Sequence, residues 1–86
     1  MSKVIVHRNA AKYLQRLPRE TKERVKTALK QLEQDPKDLP GVTRMAGEWA
    51  GYYRVRSGKL RLIYWFDEKE DLVYVDHIGP RGDVYK

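Results

Sequence analysis

With 86 residues and 18 Lys and Arg against 12 Asp and Glu, the chain is short and basic, carrying a formal charge of +6 and a pI near 9.7. A chain of this length buries only about 60% of its unfolded surface, so one core and a single domain over residues 1–86 are expected, and the positive balance favours acidic partners such as nucleic acid. The lack of cysteine excludes disulfides, thiolate catalysis and Cys-ligated zinc together, and suits a reducing cytosol.

The opening residues Met1 to Arg8 hold an apolar run of only three, too short for a signal peptide, and no stretch is long enough to span a bilayer. A soluble, cytoplasmic protein without a membrane partner is expected. Val4-Ile5-Val6 is β-branched and predicts a first strand. Asn9 is placed to cap a helix in which Ala10, Tyr13, Leu14 and Leu17 recur at i, i+3, i+4 and i+7. That helix stops near Leu17-Pro18, because the residue before proline avoids helical backbone. A second helix starts between Pro18 and Thr21 with an apolar stripe of Val25, Ala28, Leu29 and Leu32, and ends at Asp35-Pro36. Its outer face carries Arg19, Lys22, Arg24, Lys26 and Lys30 interleaved with Glu20, Glu23 and Glu33. Two helices joined at a proline predict an αα-hairpin.

Residues 36–46 hold two prolines and Gly41 and read as a connecting loop. From Glu48 onward the period changes to two. Apolar and basic residues alternate on both sides of Ser57-Gly58, predicting a β-hairpin with strands over Trp49–Arg56 and Lys59–Phe66. A turn at Ser57-Gly58 pairs Arg56 with Lys59, Val55 with Leu60, Arg54 with Arg61 and Tyr53 with Leu62. All four cations then project from one face and the apolar set from the other. The acidic turn Asp67 to Asp71 leads to a last strand over Leu72–Ile78. An even-length turn buries Val73 and Val75 with Leu62 and Tyr64, sets Asp76 opposite Arg61 and puts Tyr74 on the cationic face. An odd-length turn sends His77 and the valines there instead; the even turn is preferred because it buries the β-branched pair. The fold class expected is α+β, in the order β-α-α-β-β-β: an antiparallel sheet with an N-terminal helical hairpin on one face and an open cationic face on the other.

Charge is divided unevenly. Residues 1–46 hold 11 basic and 5 acidic side chains, and residues 47–86 hold 7 of each, so the second half concentrates its cations on one sheet face. Like charges opposite one another destabilise a sheet by about 0.2–1 kcal/mol per pair, which is most easily tolerated where a polyanion sits. RNA can be cut without metal or cofactor when its own 2′-hydroxyl attacks the adjacent phosphorus. The protein then holds the hydroxyl in line, neutralises charge growing on the phosphoryl oxygens and moves two protons. Arginine suits the second task, because its planar fork donates two parallel hydrogen bonds to phosphate oxygens and stays charged. Tyr52, Trp65 and Tyr85 are candidates to stack on an extruded base, at about 1–3 kcal/mol each. Each feature has a plainer alternative: alternating arginines as a solvated sheet face, Trp49 and Tyr53 as core or edge packing, the basic helix residues as a wet surface. Nothing in the spacing joins His7 and His77 into an acid–base pair. The His, Asp and Glu spacing gives no metal site, and there is no glycine-rich phosphate loop, so no cofactor is expected.

Taken together, three segments make the chain resemble the RelE/ParE toxin superfamily, and within it the RelE-like ribonuclease branch. They are the Ala11-Lys12-Tyr13-Leu14-Gln15-Arg16-Leu17-Pro18 helix end, the hairpin from Gly51 to Tyr64 and the tail from Ile78 to Lys86. The resemblance implies a RelE-like fold and the toxin of a type II toxin–antitoxin pair that enters the ribosomal A site and cleaves mRNA. It implies a cognate antitoxin, ribosomal RNA and mRNA as partners, with a monomeric toxin inside a hetero-oligomer. By position, the catalytic residues become Arg56, Arg61, Arg81 and Tyr85: Arg61 stabilises phosphoryl charge, Arg81 is general acid or phosphate ligand, and Tyr85 orients the nucleotide. Likewise by position, Arg54 is a strand cation that contacts RNA, and Lys59, Tyr52, Trp65 and Lys86 are further RNA-binding candidates. Where the best-studied branch has strand lysines, this chain has Arg54 and Arg56, and arginine is a poor general base. Asp76, Asp83, Tyr85 or a ribosomal group is left to take the 2′-hydroxyl proton, unless catalysis rests on positioning alone. The alternatives from other classes are a ParE-like inhibitor of DNA gyrase and a catalytically weak RNA- or antitoxin-binding domain.

Overall fold

The computed structural model describes residues 2–36, 39 and 41–80. The β-branched opening forms β1 (Lys3–Val6), followed by α1 (Arg8–Gln15) and α2 (Arg19–Gln34). The cap expected at Asn9 lies two residues earlier. His7 is extended (ψ 147°) and its Nδ1 accepts the Asn9 backbone N–H at 3.1 Å, so Asn9 falls inside the first turn. Pro18, with φ −56°, takes the N-cap of α2, where its missing N–H costs nothing. Val25, Ala28 and Leu32 of α2 are buried with Ala10 of α1 against Val55, Leu60, Leu62, Tyr64, Val73, Val75 and Ile78 of the sheet. Among the described residues no helix is long and apolar enough to cross a membrane.

The sheet has five strands in the order β1-β5-β4-β3-β2, with β2 (Thr43–Arg44), β3 (Tyr53–Ser57), β4 (Leu60–Asp67) and β5 (Leu72–Pro80). The α+β architecture with both helices on one face is as expected, with two additions. β1 joins β5 in parallel, making the sheet mixed, and the loop expected over residues 36–46 contains β2, which pairs Thr43 with Arg54 and Arg44 with Tyr53. Trp49, expected to open a strand, lies instead in a 3₁₀ turn over Gly47–Trp49. Gly51, with φ +94°, turns the chain back after it.

The hairpin turn is Gly58-Lys59 rather than Ser57-Gly58. Gly58 has φ +61°, the left-handed backbone that the first position of a tight hairpin turn needs, and Ser57 stays in the strand opposite Leu60. Arg56 therefore pairs with Arg61, Val55 with Leu62, Arg54 with Ile63 and Tyr53 with Tyr64. Moving the turn by one residue slides the partner by two, so every side chain keeps its expected face.

Between β4 and β5 the turn is even, as preferred, and Val73 and Val75 are buried opposite Phe66 and Tyr64. One feature differs. A β-bulge between the rungs of Tyr64 and Ile63 leaves Asp76 as the extra residue, so Ile63 pairs with His77 and Arg61 with Gly79 instead of Asp76. The bulge realises both alternatives in one strand: the valines are buried on one side of it, and His77 joins the outer face on the other. That face is not wholly open. Ile63 is fully buried yet stands apart from the main core; its rung neighbours are Arg54 and His77, and Trp49 packs edge-on to His77 at 5.5 Å.

Candidate nucleic-acid interface

Strand alternation sends Arg56 and Arg61 to the same face, and their direct pairing sets the two guanidinium groups across one rung. With Lys59, Gly58 and Pro80 they line an open cleft of about 430 Å³ at the hairpin end of the sheet. Arg56 and Lys59 are exposed and Arg61 is half-buried. Among the described residues the lining holds no carboxylate and no imidazole, so this part of the site offers positive charge and directed N–H donors. Such a site can grip a phosphodiester and stabilise charge developing on its oxygens.

The other expected contacts are distributed along the same face. Arg54 lies two residues from Arg56 and lines a separate depression of about 540 Å³ with Thr43, Arg44, Met45, Ala46, Glu48 and Trp49. Tyr52 is half-buried and donates its hydroxyl proton to Asp76 Oδ2 at 2.9 Å. That hydrogen bond, then desolvation and the carboxylate's charge, raise the phenol above its ordinary pKa, so Tyr52 stays a donor. Its ring packs edge-on to Trp49 at 5.0 Å. Asp76, a candidate base, is thus engaged by Tyr52 and sits in the bulge rather than opposite Arg61. Trp65 stacks on Tyr74 with ring centroids 4.4 Å apart, at the end of the face away from the hairpin turn. Arg81, Tyr85 and Lys86 lie outside the described residues and follow Pro80, which is on the rim of the cationic cleft.

Hence Arg56, Lys59 and Arg61 converge, while Arg54, Tyr52 and Trp65 share the face without sharing the cleft. Sequence reasoning missed Thr43 and Glu48 as components of this face, and placed His77 on it only under the odd-length turn. Gly47 and Gly51 around Glu48-Trp49-Ala50 signal a chain reversal, but the alternation from Glu48 onward masks it. The bulge that delivers His77 leaves no composition signal. Among the described residues no cluster of three or more His, Cys, Asp or Glu side chains could hold a metal ion.

A family model described as the ParE toxin of the type II toxin–antitoxin system parDE matches residues 4–85. Among solved structures, the chain is similar to the archaeal RelE–RelB complex from Pyrococcus horikoshii, with a TM-score of 0.82 and 29% identity over 95% of this chain and 97% of that one. It is also similar to the toxin–antitoxin complex RelBE2 from Mycobacterium tuberculosis, with a TM-score of 0.81 and 25% identity over 93% of this chain and 98% of that one. The isolated RelE toxin of E. coli, at 20% identity and a TM-score of 0.78 over 96% of this chain and 89% of that one, shares the fold. A search among curated proteins gave no match. By the family model spanning nearly its whole length, the chain belongs to the RelE/ParE superfamily of type II toxin–antitoxin toxins.

Proposed function

We propose that this toxin is a metal-independent, ribosome-dependent endoribonuclease that cuts mRNA in the A site. The 2′-oxygen bonds to the adjacent phosphorus as the bond from phosphorus to the 5′-oxygen breaks; the 2′-hydroxyl proton passes to water or a ribosomal group, and a proton from water reaches the departing 5′-oxygen. Arg56 and Arg61 bind the non-bridging oxygens, Lys59 holds a neighbouring phosphate, and Arg81 and Tyr85, which follow Pro80 in the chain, serve as a further phosphate ligand and nucleotide-orienting ring. The observation that carries the reading is the direct pairing of Arg56 with Arg61 in a cleft whose rim is Pro80. Catalysis then rests chiefly on in-line positioning and charge neutralisation, because the described cleft lacks a proton acceptor. The physiological partners are the ribosome and a cognate antitoxin, the latter supported by the toxin–antitoxin complexes among the similar structures. The site of action is the cytoplasm, with one toxin domain per chain inside a hetero-oligomer.

A second reading, inhibition of DNA gyrase by binding, is favoured by the ParE description of the matching family model. Brief induction in a bacterial host separates the two. The nuclease reading expects new transcript ends inside translated codons, abolished in an Arg56→Ala, Arg61→Ala variant that still folds. Plasmid supercoiling defects without such ends would replace it with the gyrase reading.

A further inference from the structure

The depression beside Arg54 is built by the chain reversal. Met45 N–H donates to Tyr52 O at 2.9 Å and Tyr52 N–H to Trp49 O at 2.9 Å, folding residues 45–52 back beside the sheet. Thr43 and Arg54 pair across its floor, Trp49 and Met45 supply apolar wall, and Glu48 and Arg44 stand at its margin. Its volume of about 540 Å³ suits one nucleobase with its sugar. We propose that it is a subsite for a guanine base of single-stranded RNA, a refinement that rests on the RNA-cleaving reading of the adjacent cleft. Guanine alone among the four bases presents two adjacent donors, N1–H and N2–H, on its Watson–Crick edge, matching the two oxygens of the Glu48 carboxylate. Single-stranded RNA exposes that edge, and the Trp49 indole offers an aromatic wall for its face. Arg54, beside Thr43 on the floor, meets the adjoining phosphate. Arg54 and Arg56 lie two residues apart on one strand face, about 6.6 Å along it. A strand with its scissile phosphate between Arg56 and Arg61 therefore runs a neighbouring nucleotide past Arg54, which lines the same depression as Glu48.

The test uses the full chain and 2′-O-methyl trinucleotides, which cannot undergo 2′-hydroxyl attack: UGU, UAU, UCU and UUU. The chain has two tryptophans, so a Trp65→Phe background makes Trp49 the sole indole reporter, and because Trp65 is itself a candidate RNA contact only the ratio of affinities among the four trinucleotides in that background is read. The expected result is quenching of Trp49 by UGU with affinity about tenfold or more above the other three, the discrimination typical of a good bidentate base contact. Glu48→Gln, which turns one acceptor into a donor facing guanine's donors, reduces the ratio of UGU to UUU affinity to about twofold; thermal denaturation checks that this exposed substitution preserves the fold. Equal affinities for all four trinucleotides, quenching by none, or a guanine preference that survives Glu48→Gln would each overturn the subsite. Ribosome-dependent cleavage without guanine preference removes only the subsite, whereas guanine preference without any cleavage removes only the nuclease reading.

Discussion

Arg56 and Arg61 occupy one rung of an antiparallel pair, where opposed like charges cost about 0.2–1 kcal/mol. Stability and cleavage should therefore separate at this pair. Arg56→Thr, which keeps strand propensity and removes an exposed cation, is expected to raise the melting temperature by about 1–6 °C while lowering mRNA cleavage in a reconstituted translation system by about 10²–10³. Calorimetry and cleavage assays on the same preparation check both halves. Tyr64 is the opposite case, a polar group whose role is in the fold. It is fully buried and donates its hydroxyl proton to Pro36 O at 2.7 Å. Desolvation first, then electrostatic interaction with Tyr53 and Asp35, pushes its phenol far above the ordinary value near 10. The unfolded chain ionises near that ordinary value while the folded protein does not, so stability is fully present below pH 10 and declines as pH rises above it. The raised phenol of Tyr52 adds a contribution of the same sign. Tyr64→Phe should cost about 1–2 kcal/mol at neutral pH by leaving the Pro36 carbonyl unpaired, and should flatten the alkaline decline. Urea denaturation from pH 7 to 11 measures both.

At the level of elements, the hairpin depends on one backbone conformation. A Cβ at Gly58 would stand 3.5 Å from Arg24 Nη1, an ordinary contact, so the cost of Gly58→Ala is the strain of φ +61° itself. That is about 1–2 kcal/mol, with a smaller loss for Gly58→Asn because asparagine tolerates the left-handed region. Denaturant midpoints of the two variants give the comparison. Periodicity sufficed to read both helices, three of the strands and the face of every hairpin residue, because side-chain direction follows from alternation alone. The rung assignments were not readable. They depend on which residue takes positive φ, and both Ser57-Gly58 and Gly58-Lys59 offer a glycine. The bulge at Asp76 was equally hidden: Leu72 to Val75 is apolar throughout, so no alternation marks where the register changes, and only the sheet shows that His77 and Val75 face opposite ways across an inserted residue. β2 was hidden by its length of two residues.

Across the whole molecule, the outer sheet face grades from cations at the hairpin end (Arg56, Lys59, Arg61), through Ile63, His77, Trp49 and Tyr52, to the stacked Trp65 and Tyr74. The candidate site was legible in part. Its core of strand cations followed from alternation, whereas the separation of Arg54 and Tyr52 from that core follows from a loop that folds back beside the sheet. The measurement that bears most directly on the proposed chemistry is a double-substitution cycle at the cationic rung, reading single-turnover cleavage of A-site mRNA on programmed ribosomes. If both guanidinium groups grip one phosphate, Arg56→Ala and Arg61→Ala each reduce the rate by about 10²–10³ and the double variant loses less than the product of the two. A folded double variant that cuts as fast as the parent would contradict it.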